Sequence, residues 1–441
     1  MSTNTREGFS SPYWQGRNSI ALKALAGVAV AILIVFLGDL SYLFGATFRA
    51  GDRVHALNVL VVDYDGGPVG QSVARAYQSL QGDHFPTFDF HSSADFPDPS
   101  NIKRGVCKAK YWGAVYIHSG ASDRLAAAYE GGSAAENYSS EAAVTYIYNG
   151  ARYPTVASSY LAPNFLALVS ASRGMYYRTD NGSSALQTLN SSDLAAVQAY
   201  LNPITGTADV IRPTNQGSRT LYNTINIVMA ILGQFFYVLA MNGIFDKFGI
   251  HSKMRVRDVW IMRFIAGKIF ALLYAVVVTG YIWAFREDWG VDGGTWAMTW
   301  LTFWLFMDTN FLVLESLIGS FVALQFTPFF LLTWFMVNVA ACVFPFELTA
   351  GFYRIGYAFP AHALWITLIQ VWSGCGNSLH IGLPVLFAWW VVAQVASFFS
   401  IRKRCLDAGA TRGDDGDKVE RDTEKKTDTE PSSLLEGSDT A

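Results

Sequence analysis

Residues 26–44 read AGVAVAILIVFLGDLSYLF, an apolar run that is interrupted by a single charge, Asp39. A transmembrane helix needs about 20 predominantly apolar residues, and the run reaches that length when it is taken as residues 22–46. A cleaved signal sequence has a shorter apolar core of about 7–15 residues and a small-residue cleavage site. The stretch therefore predicts a retained first transmembrane helix behind a cytoplasmic leader, residues 1–21.

The composition of the whole chain agrees with a membrane protein. Of the 441 residues, 51% are hydrophobic and 15% are charged, whereas roughly a quarter are charged in an ordinary soluble protein. The formal net charge of −3 comes without a basic stripe, which argues against a nucleic-acid partner. The four cysteines are too few for a disulfide scaffold or a zinc ribbon, so we predict neither a metal nor a cofactor.

Apolar segments recur in the second half of the chain and indicate six spans, arranged one plus five. They assign residues 219–402 to the membrane domain, while the highly charged tail, residues 403–441, is predicted to be disordered. Near residues 346–372, a proline at the end of a span, a second proline and a short amphipathic piece favour a re-entrant hairpin in which Glu347 and Arg354 could pair. The five further spans lie near residues 221–245, 262–285, 296–319, 324–345 and 380–401.

The hydrophilic region between the first two spans, residues 47–218, is long enough for one domain. It alternates strand-like runs with segments of helical periodicity, which predicts an inserted α/β or α+β domain. The strand-like runs lie near residues 56–63, 111–117 and 143–148, and the helical segments near 69–80, 121–130 and 153–176.

Basic residues concentrate in alternate connections between the spans. Because short cytoplasmic loops carry an excess of Lys and Arg, both termini are predicted to be cytoplasmic and residues 47–218 extracellular or lumenal. These residues are Arg6, Arg17 and Lys23 at and before the start of the first span, Lys247, Lys253, Arg255, Arg257 and Arg263 around one connection, and Arg402, Lys403 and Arg404 around the start of the tail.

This orientation makes two modifications of the inserted domain chemically reasonable. N-glycosylation sequons begin at Asn137, Asn181 and Asn190, although chance alone supplies sequons of this kind. Cys107 and Cys375 both fall on the outer side, where a disulfide would tie the domain to the membrane helices. Two buried free thiols are the alternative.

Polar side chains inside the spans are the candidates for function, because such residues are costly in a bilayer and tend to face a protein interior or a water-filled cavity. Asp308 and Glu315 lie seven residues apart, almost two helical turns, and so project from one face. With Asn226, Gln234 and Asn338 on neighbouring spans, they are predicted to line a translocation path. The alternative is that they only join helices through hydrogen bonds.

Motifs of the common catalytic sites are absent. The sequence has no G-x-x-x-x-G-K-[ST], H-E-x-x-H or G-x-S-x-G, and its seven histidines are not spaced as metal ligands. We therefore predict no catalytic residues and a protein that is not an enzyme.

Four stretches of the chain are distinctive in combination: LNVLVVDYDGGPVG (57–70), YWGAVYI (111–117), YNGAR (148–152) and FYRIGYAFP (352–360). With the one-plus-five layout, they resemble the fungal nitrosoguanidine-resistance family of multi-span membrane proteins, the DUF3533 type. The similarity covers about residues 20–402. It implies a plan like that of bacterial phage-infection proteins and ABC-2 exporters, in which residues 246–263 would meet an ATPase, although a partner ATPase is conjecture.

Together with the polar residues inside the spans, the resemblance implies a transporter-like protein of the plasma membrane or another secretory-pathway membrane. Its function would be to export small toxic molecules, such as a drug or a secondary metabolite, or to confer tolerance to them. The alternative is a non-transporting accessory protein that affects lipid asymmetry or the trafficking of other exporters. The expected partners are the lipid bilayer and an unidentified small-molecule substrate, and a homodimer is compatible with the layout.

Overall fold

The computed structural model describes residues 11–213, 216–318, 320–323 and 326–427. Residues 1–10 of the predicted leader and residues 428–441 of the predicted tail lie outside the described residues. The described chain forms a bundle of apolar helices and a domain built on a β-sheet, which we call the sheet domain (residues 48–213).

The first helix, α1 (Arg17–Thr47), contains the apolar run near the start of the chain. Its most apolar window has no buried residue, as expected for a helix that is surrounded by lipid. Asp39 is a buried exception near the other end, and its Oδ2 accepts a hydrogen bond of 3.1 Å from the hydroxyl of Thr333. This bond fastens α1 to a later helix of the bundle.

The strands of the sheet domain, within the described residues, are β1 (Asn58–Asp63), β2 (Thr87–His91), β3 (Gly113–Ile117), β4 (Val144–Asn149) and β5 (Gly206–Ile211). Their spatial order is β2-β1-β3-β4-β5. β1 is parallel to β2 and β3, β4 is antiparallel to β3, and β5 is parallel to β4. The arrangement is a mixed sheet with helices between the strands.

Burial on both faces explains why β1 is a nearly continuous apolar run. Val59 and Val61 point to the larger hydrophobic core, while Leu60 and Val62 point to a second core on the opposite face. The helices that cover the sheet are α2 (Pro68–Leu80), α3 (Pro99–Cys107), α4 (Ala121–Glu130), α5 (Ser133–Glu136), α6 (Pro154–Val156), α7 (Ala162–Arg178), α8 (Asp180–Thr188) and α9 (Leu194–Leu201).

Seven helices follow the sheet domain in the described chain. They are α10 (Ile225–Lys247), α11 (Ile250–Lys253), α12 (Val256–Ala284), α13 (Gly293–Leu317), α14 (Thr327–Val343), α15 (Pro360–Ser373) and α16 (Leu379–Thr427). In the described residues, five helices are long and apolar enough to cross a membrane, namely α1, α10, α12, α13 and α16. The apolar α14 has 17 residues. The chain is therefore a polytopic helical membrane protein.

The bundle has two distinct ends, because short connections reverse the chain between successive helices. The sheet end is defined by the connection at residues 285–292, where the Glu287 carboxylate accepts a hydrogen bond of 3.0 Å from the Gly217 amide. The basic end is defined by the connection at residues 248–255 and by residues 402–404. At the centre lies α13, which packs against α10, α12, α15 and α16.

Between α14 and α16 the chain folds back on itself at the sheet end. A 3-10 helix, Gly351–Ala358, leads into α15, whose Ala361 amide donates a 3.2 Å hydrogen bond to Oδ1 of Asn338 inside α14. The other end of α15 returns to the sheet domain through Cys375. With 14 residues, α15 is about 21 Å long, shorter than a hydrocarbon core of about 30 Å.

The last helix differs from the predicted boundary between membrane domain and tail at residue 402. α16 continues without interruption to Thr427. Two contacts favour helix beyond the boundary, the burial of Arg404 in the bundle and an i, i+4 ion pair of 3.5 Å between Lys403 and Asp407. The helix therefore extends past residue 402 into the predicted tail.

Candidate functional site

The two carboxylates predicted to share a face of one span are both on α13 and both buried. Each is neutralised by basic side chains from neighbouring helices, which the sequence analysis had not paired with them. Both negatively charged side chains thus have positively charged partners, as their burial in a medium of low dielectric constant requires.

Glu315 lies in a group that we call the basic-end cluster: Asn242, Arg263, Glu315 and Arg404. Arg263 donates two hydrogen bonds of 2.7 Å, from Nε to Oε1 and from Nη2 to Oε2. Arg404 donates to the same carboxylate, and both arginines donate to Oδ1 of Asn242, at 2.6 and 2.8 Å. Four helices, α10, α12, α13 and α16, are joined by this one cluster.

Asp308 lies two turns further from the basic end. Its Oδ2 accepts hydrogen bonds from Nζ of Lys268 at 2.5 Å and from Nε1 of Trp390 at 2.6 Å. The ammonium of Lys268 also lies 4.8 Å from the centre of the Trp390 ring. The second oxygen, Oδ1, is buried and has no hydrogen-bond partner among the described residues.

The three amides predicted to complete a polar path do not join these carboxylates through any hydrogen bond of the described residues. Asn338 binds the Trp334 carbonyl and the Ala361 amide, and so connects α14 to α15. Asn226 accepts a 2.8 Å bond from the Tyr281 hydroxyl. Both side-chain ends of Gln234 are buried without a partner in the described structure.

A cavity of about 550 Å³ opens at the basic end between α10, α14 and α16. Its wall contains apolar side chains such as Phe235 and the polar side chains of Asp246 and His251. Arg404, which belongs to the basic-end cluster, also lines it. Nδ1 of His251 lies 2.9 Å from Oδ1 of Asp246. Burial lowers the pKa of His251, although the hydrogen bond to Asp246 acts in the opposite direction. We call this space the basic-end cavity.

A second cavity, of about 190 Å³, lies at the sheet end, where the sheet domain meets the membrane helices. It is bounded by Arg152 and Asn149 of the sheet domain, by Glu347, and by His362 and Ile366 of α15. We call it the junction cavity. Burial lowers the pKa of Arg152, and the nearby negative charge of Glu347 opposes this effect.

The predicted pairing of Glu347 with Arg354 is wrong. Arg354 is exposed on the 3-10 helix, and the ion pairs of the described residues do not include these two side chains. Oε1 of Glu347 instead accepts a 3.4 Å hydrogen bond from Nε1 of Trp112, a residue of the sheet domain. A separation of seven residues brings two side chains to one face in a continuous α-helix, but here the backbone changes from loop to 3-10 helix.

Cys107 and Cys375 form a disulfide, with their Cα atoms 4.7 Å apart. It ties the end of α3 to the segment that follows α15, at the wall of the junction cavity. The sequon asparagines lie on the sheet domain, where Asn137 and Asn190 are exposed and Asn181 is half-buried. No group of three or more metal-ligating side chains occurs in the described part of the chain.

Sequence reasoning missed the basic partners of the buried carboxylates. Arg263 and Arg404 had been counted only as orientation signals at the ends of spans, and Lys268 had not been considered as a partner. One signal was available in the sequence. Lys268 lies within an apolar segment, at a depth in the membrane similar to that of Asp308, and the two side chains have opposite charges. Arg152 has no sequence signal of its own beyond its place in the stretch YNGAR (148–152).

The fold and these buried charge pairs define a class, a polytopic helical membrane protein with a sheet domain inserted after its first helix. The sequence profile of a family described as "Protein of unknown function (DUF3533)" matches residues 28–395. The chain therefore belongs to this family, which confirms the predicted resemblance at the family level.

The chain is also similar to a Saccharomyces cerevisiae protein described as an uncharacterized endoplasmic reticulum membrane protein. The two are 23% identical over 407 residues, which cover 80% of this chain and 74% of the relative. No solved structure matches the chain. Together with the apolar helices, the relative supports a membrane protein of the secretory pathway.

Proposed function

We propose that the protein is a transporter-like membrane protein that exports small toxic molecules or confers tolerance to them. The basic-end cavity is the observation that carries the proposal, because it is large enough for a small molecule and has both apolar and charged walls. With α14 counted as a sixth span and the basic end in the cytoplasm, a cytosolic compound would enter between α10, α14 and α16.

The central helix gives this cavity a connection to the interior of the bundle. Arg404 is part of the cavity wall and also binds Glu315 on α13, so a ligand near Arg404 would change the environment of a buried carboxylate. Gln234, with both amide ends buried and unpartnered in the described structure, lies on α10 within the bundle. Glu315 and Gln234 would therefore contact a polar solute that moved from the cavity into the interior of the bundle.

The experiment fills the cavity without touching the basic-end cluster. Gly243 lines the cavity, and a Cβ added there would meet no atom within 4 Å, so Gly243→Leu places a new side chain at an open position of the cavity wall. Gly280 on α12 is equally open and lies outside the cavity wall, which makes Gly280→Leu the matched control.

Intracellular accumulation of a panel of toxic compounds is measured in a deletion strain that carries each variant at equal protein level. We expect deletion and Gly243→Leu to raise the accumulation of the same compound, and Gly280→Leu to restore the wild-type level. Unchanged accumulation in the deletion strain across a broad panel would refute the export proposal. Substitutions at Glu315 are unsuitable here, since they leave two buried guanidinium groups without their anion.

The second candidate function is that of a non-transporting accessory protein, and the saturation of Glu315 by two arginines favours it. A carboxylate held in this way suits a clamp between helices as well as it suits a path. In that case deletion would change lipid asymmetry or the surface level of another exporter, and Gly243→Leu would behave like wild type in the accumulation assay.

A further inference from the structure

The junction cavity contains a cation and an anion that the protein leaves apart. Arg152 stacks on Trp112, with its guanidinium carbon 3.6 Å from the ring centre, and its Nη1 is buried with no hydrogen-bond partner among the described residues. Glu347 accepts a hydrogen bond from the indole of the same tryptophan. The two charges face one cavity, yet the ion pairs of the described residues do not include them.

An unpartnered buried guanidinium nitrogen is expensive, because desolvation is not offset by any acceptor. Direct contact between Arg152 and Glu347 would remove that cost. Trp112, which stacks on the first residue and donates to the second, instead holds both side chains at the cavity wall. The arrangement therefore suits a ligand that carries an anion and a cation a few ångströms apart.

The other walls of the cavity add information about this ligand. Asn149, from the end of β4, supplies a further polar side chain. On the membrane side, Ile366 of α15 and the exposed Ile381 at the start of α16 form an apolar border. A ligand with a polar zwitterionic group and apolar chains could therefore place the group between the charges and the chains along these helices.

The geometry points to a binding site for a zwitterionic phosphate–ammonium headgroup in the junction cavity. The phosphate would accept hydrogen bonds from Arg152, and the ammonium group would lie against Glu347. Such a group is found both in free phosphoethanolamine and in phosphatidylethanolamine of the surrounding bilayer. The site is distinct from the basic-end cavity and does not depend on export activity.

The test uses the full chain, purified and delipidated in detergent, and measures Kd by native mass spectrometry. The probes are phosphatidylethanolamine, phosphatidylglycerol with the same acyl chains, free phosphoethanolamine and inorganic phosphate. The variants are Arg152→Gln and Glu347→Gln, and the matched control is Arg354→Gln, an exposed arginine of the adjoining 3-10 helix. Formation of the Cys107–Cys375 disulfide, read on a non-reducing gel, verifies that each variant has docked its sheet domain.

We expect wild type to bind phosphatidylethanolamine more tightly than phosphatidylglycerol, and Arg152→Gln to weaken phosphatidylethanolamine binding about tenfold, the effect of losing one charge-assisted contact. Glu347→Gln should abolish the preference between the two lipids, and Arg354→Gln should leave both Kd values unchanged. Displacement of the lipid by free phosphoethanolamine would support binding through the headgroup alone, whereas failure of displacement would identify the bilayer lipid as the source.

Three results would overturn the proposal. The first is equal affinity of wild type for the zwitterionic and the anionic lipid. The second is displacement of the lipid by inorganic phosphate as readily as by phosphoethanolamine. The third is an affinity of Arg152→Gln that equals that of Arg354→Gln. If Arg152→Gln does not form the disulfide, the lipid preference of Glu347→Gln decides the question.

Discussion

The two ends of the membrane bundle each place arginine close to glutamate, with opposite results: the side chains are buried at the basic end and half-buried at the sheet end. In the basic-end cluster, Glu315 accepts hydrogen bonds from Arg263 and Arg404, and the three side chains are buried. In the junction cavity, Arg152 and Glu347 are kept apart beside a space of about 190 Å³. The comparison teaches that a buried carboxylate paired with arginines holds helices together, whereas charges that have no ion pair and face a cavity are available to a ligand.

The largest effect on stability is expected from breaking the basic-end cluster. Glu315→Ala leaves two buried guanidinium groups without an anion, which costs about 3–5 kcal/mol for a buried pair that loses one partner. We expect loss of monodisperse protein in size-exclusion chromatography. Asp258→Ala, at an exposed acidic residue near the start of α12, should elute like wild type. Glu315→Ala with a normal elution profile would mean that the cluster contributes little to the fold.

The second largest effect on stability is expected from removing the Cys107–Cys375 disulfide at the junction. Its loop spans 268 residues, and loss of a native disulfide commonly costs about 2–5 kcal/mol. Cys107→Ser should therefore lower the thermal midpoint of the sheet domain and increase its cleavage by added protease. The double variant with Cys375→Ser should match the single variant. An additional loss in the double variant would show that Cys375 has a separate role.

In the ion pair of Asp308 and Lys268, loss of the positive charge and loss of the negative charge should have different effects on stability. The side chain of Lys268 is 21% exposed, whereas that of Asp308 is 1% exposed. Lys268→Met strands a buried carboxylate and should destabilise by about 1–3 kcal/mol, while Asp308→Asn leaves a lysine that can extend toward water. Chemical unfolding in detergent should rank Lys268→Met below Asp308→Asn in stability. The reverse order would contradict the burial argument.

The smallest effect on stability is expected at Arg152 in the junction cavity. Arg152→Met keeps an unbranched side chain that can pack on Trp112, and it removes a cation that has no ion pair in the described structure. We expect the unfolding midpoint to change by less than the equivalent of about 1 kcal/mol. A loss as large as that of Glu315→Ala would show that Arg152 is a structural cation after all, and the contrast between the two ends would disappear.

The secondary structure was predictable wherever the pattern was strong and local. The apolar run of β1 and the helix α2 after Pro68 are close to their predicted limits. β2 and β5 were missed because their residues, TFDFH and GTADVI, are half polar and lie at the two edges of the sheet. An edge strand needs only one apolar face or less, so its sequence carries a weak signal.

The candidate site was predictable only in part, since spacing along one helix fixes a face but not a partner. The seven-residue separation of Asp308 and Glu315 correctly indicated two buried carboxylates on α13. The same spacing failed for Glu347 and Arg354, because the backbone between them is not one regular helix.

The sequence by itself determined that the chain is a membrane protein, where most of its apolar helices lie and which ends of them are basic. These properties depend on composition and on contacts within one segment. Only the tertiary structure decided that Arg404 neutralises Glu315 across 89 residues, and that Trp112 contacts both Arg152 and, 235 residues further along the chain, Glu347. A buried charge can be satisfied by any opposite charge that the fold brings within reach, so its partner is set by packing and not by position along the chain.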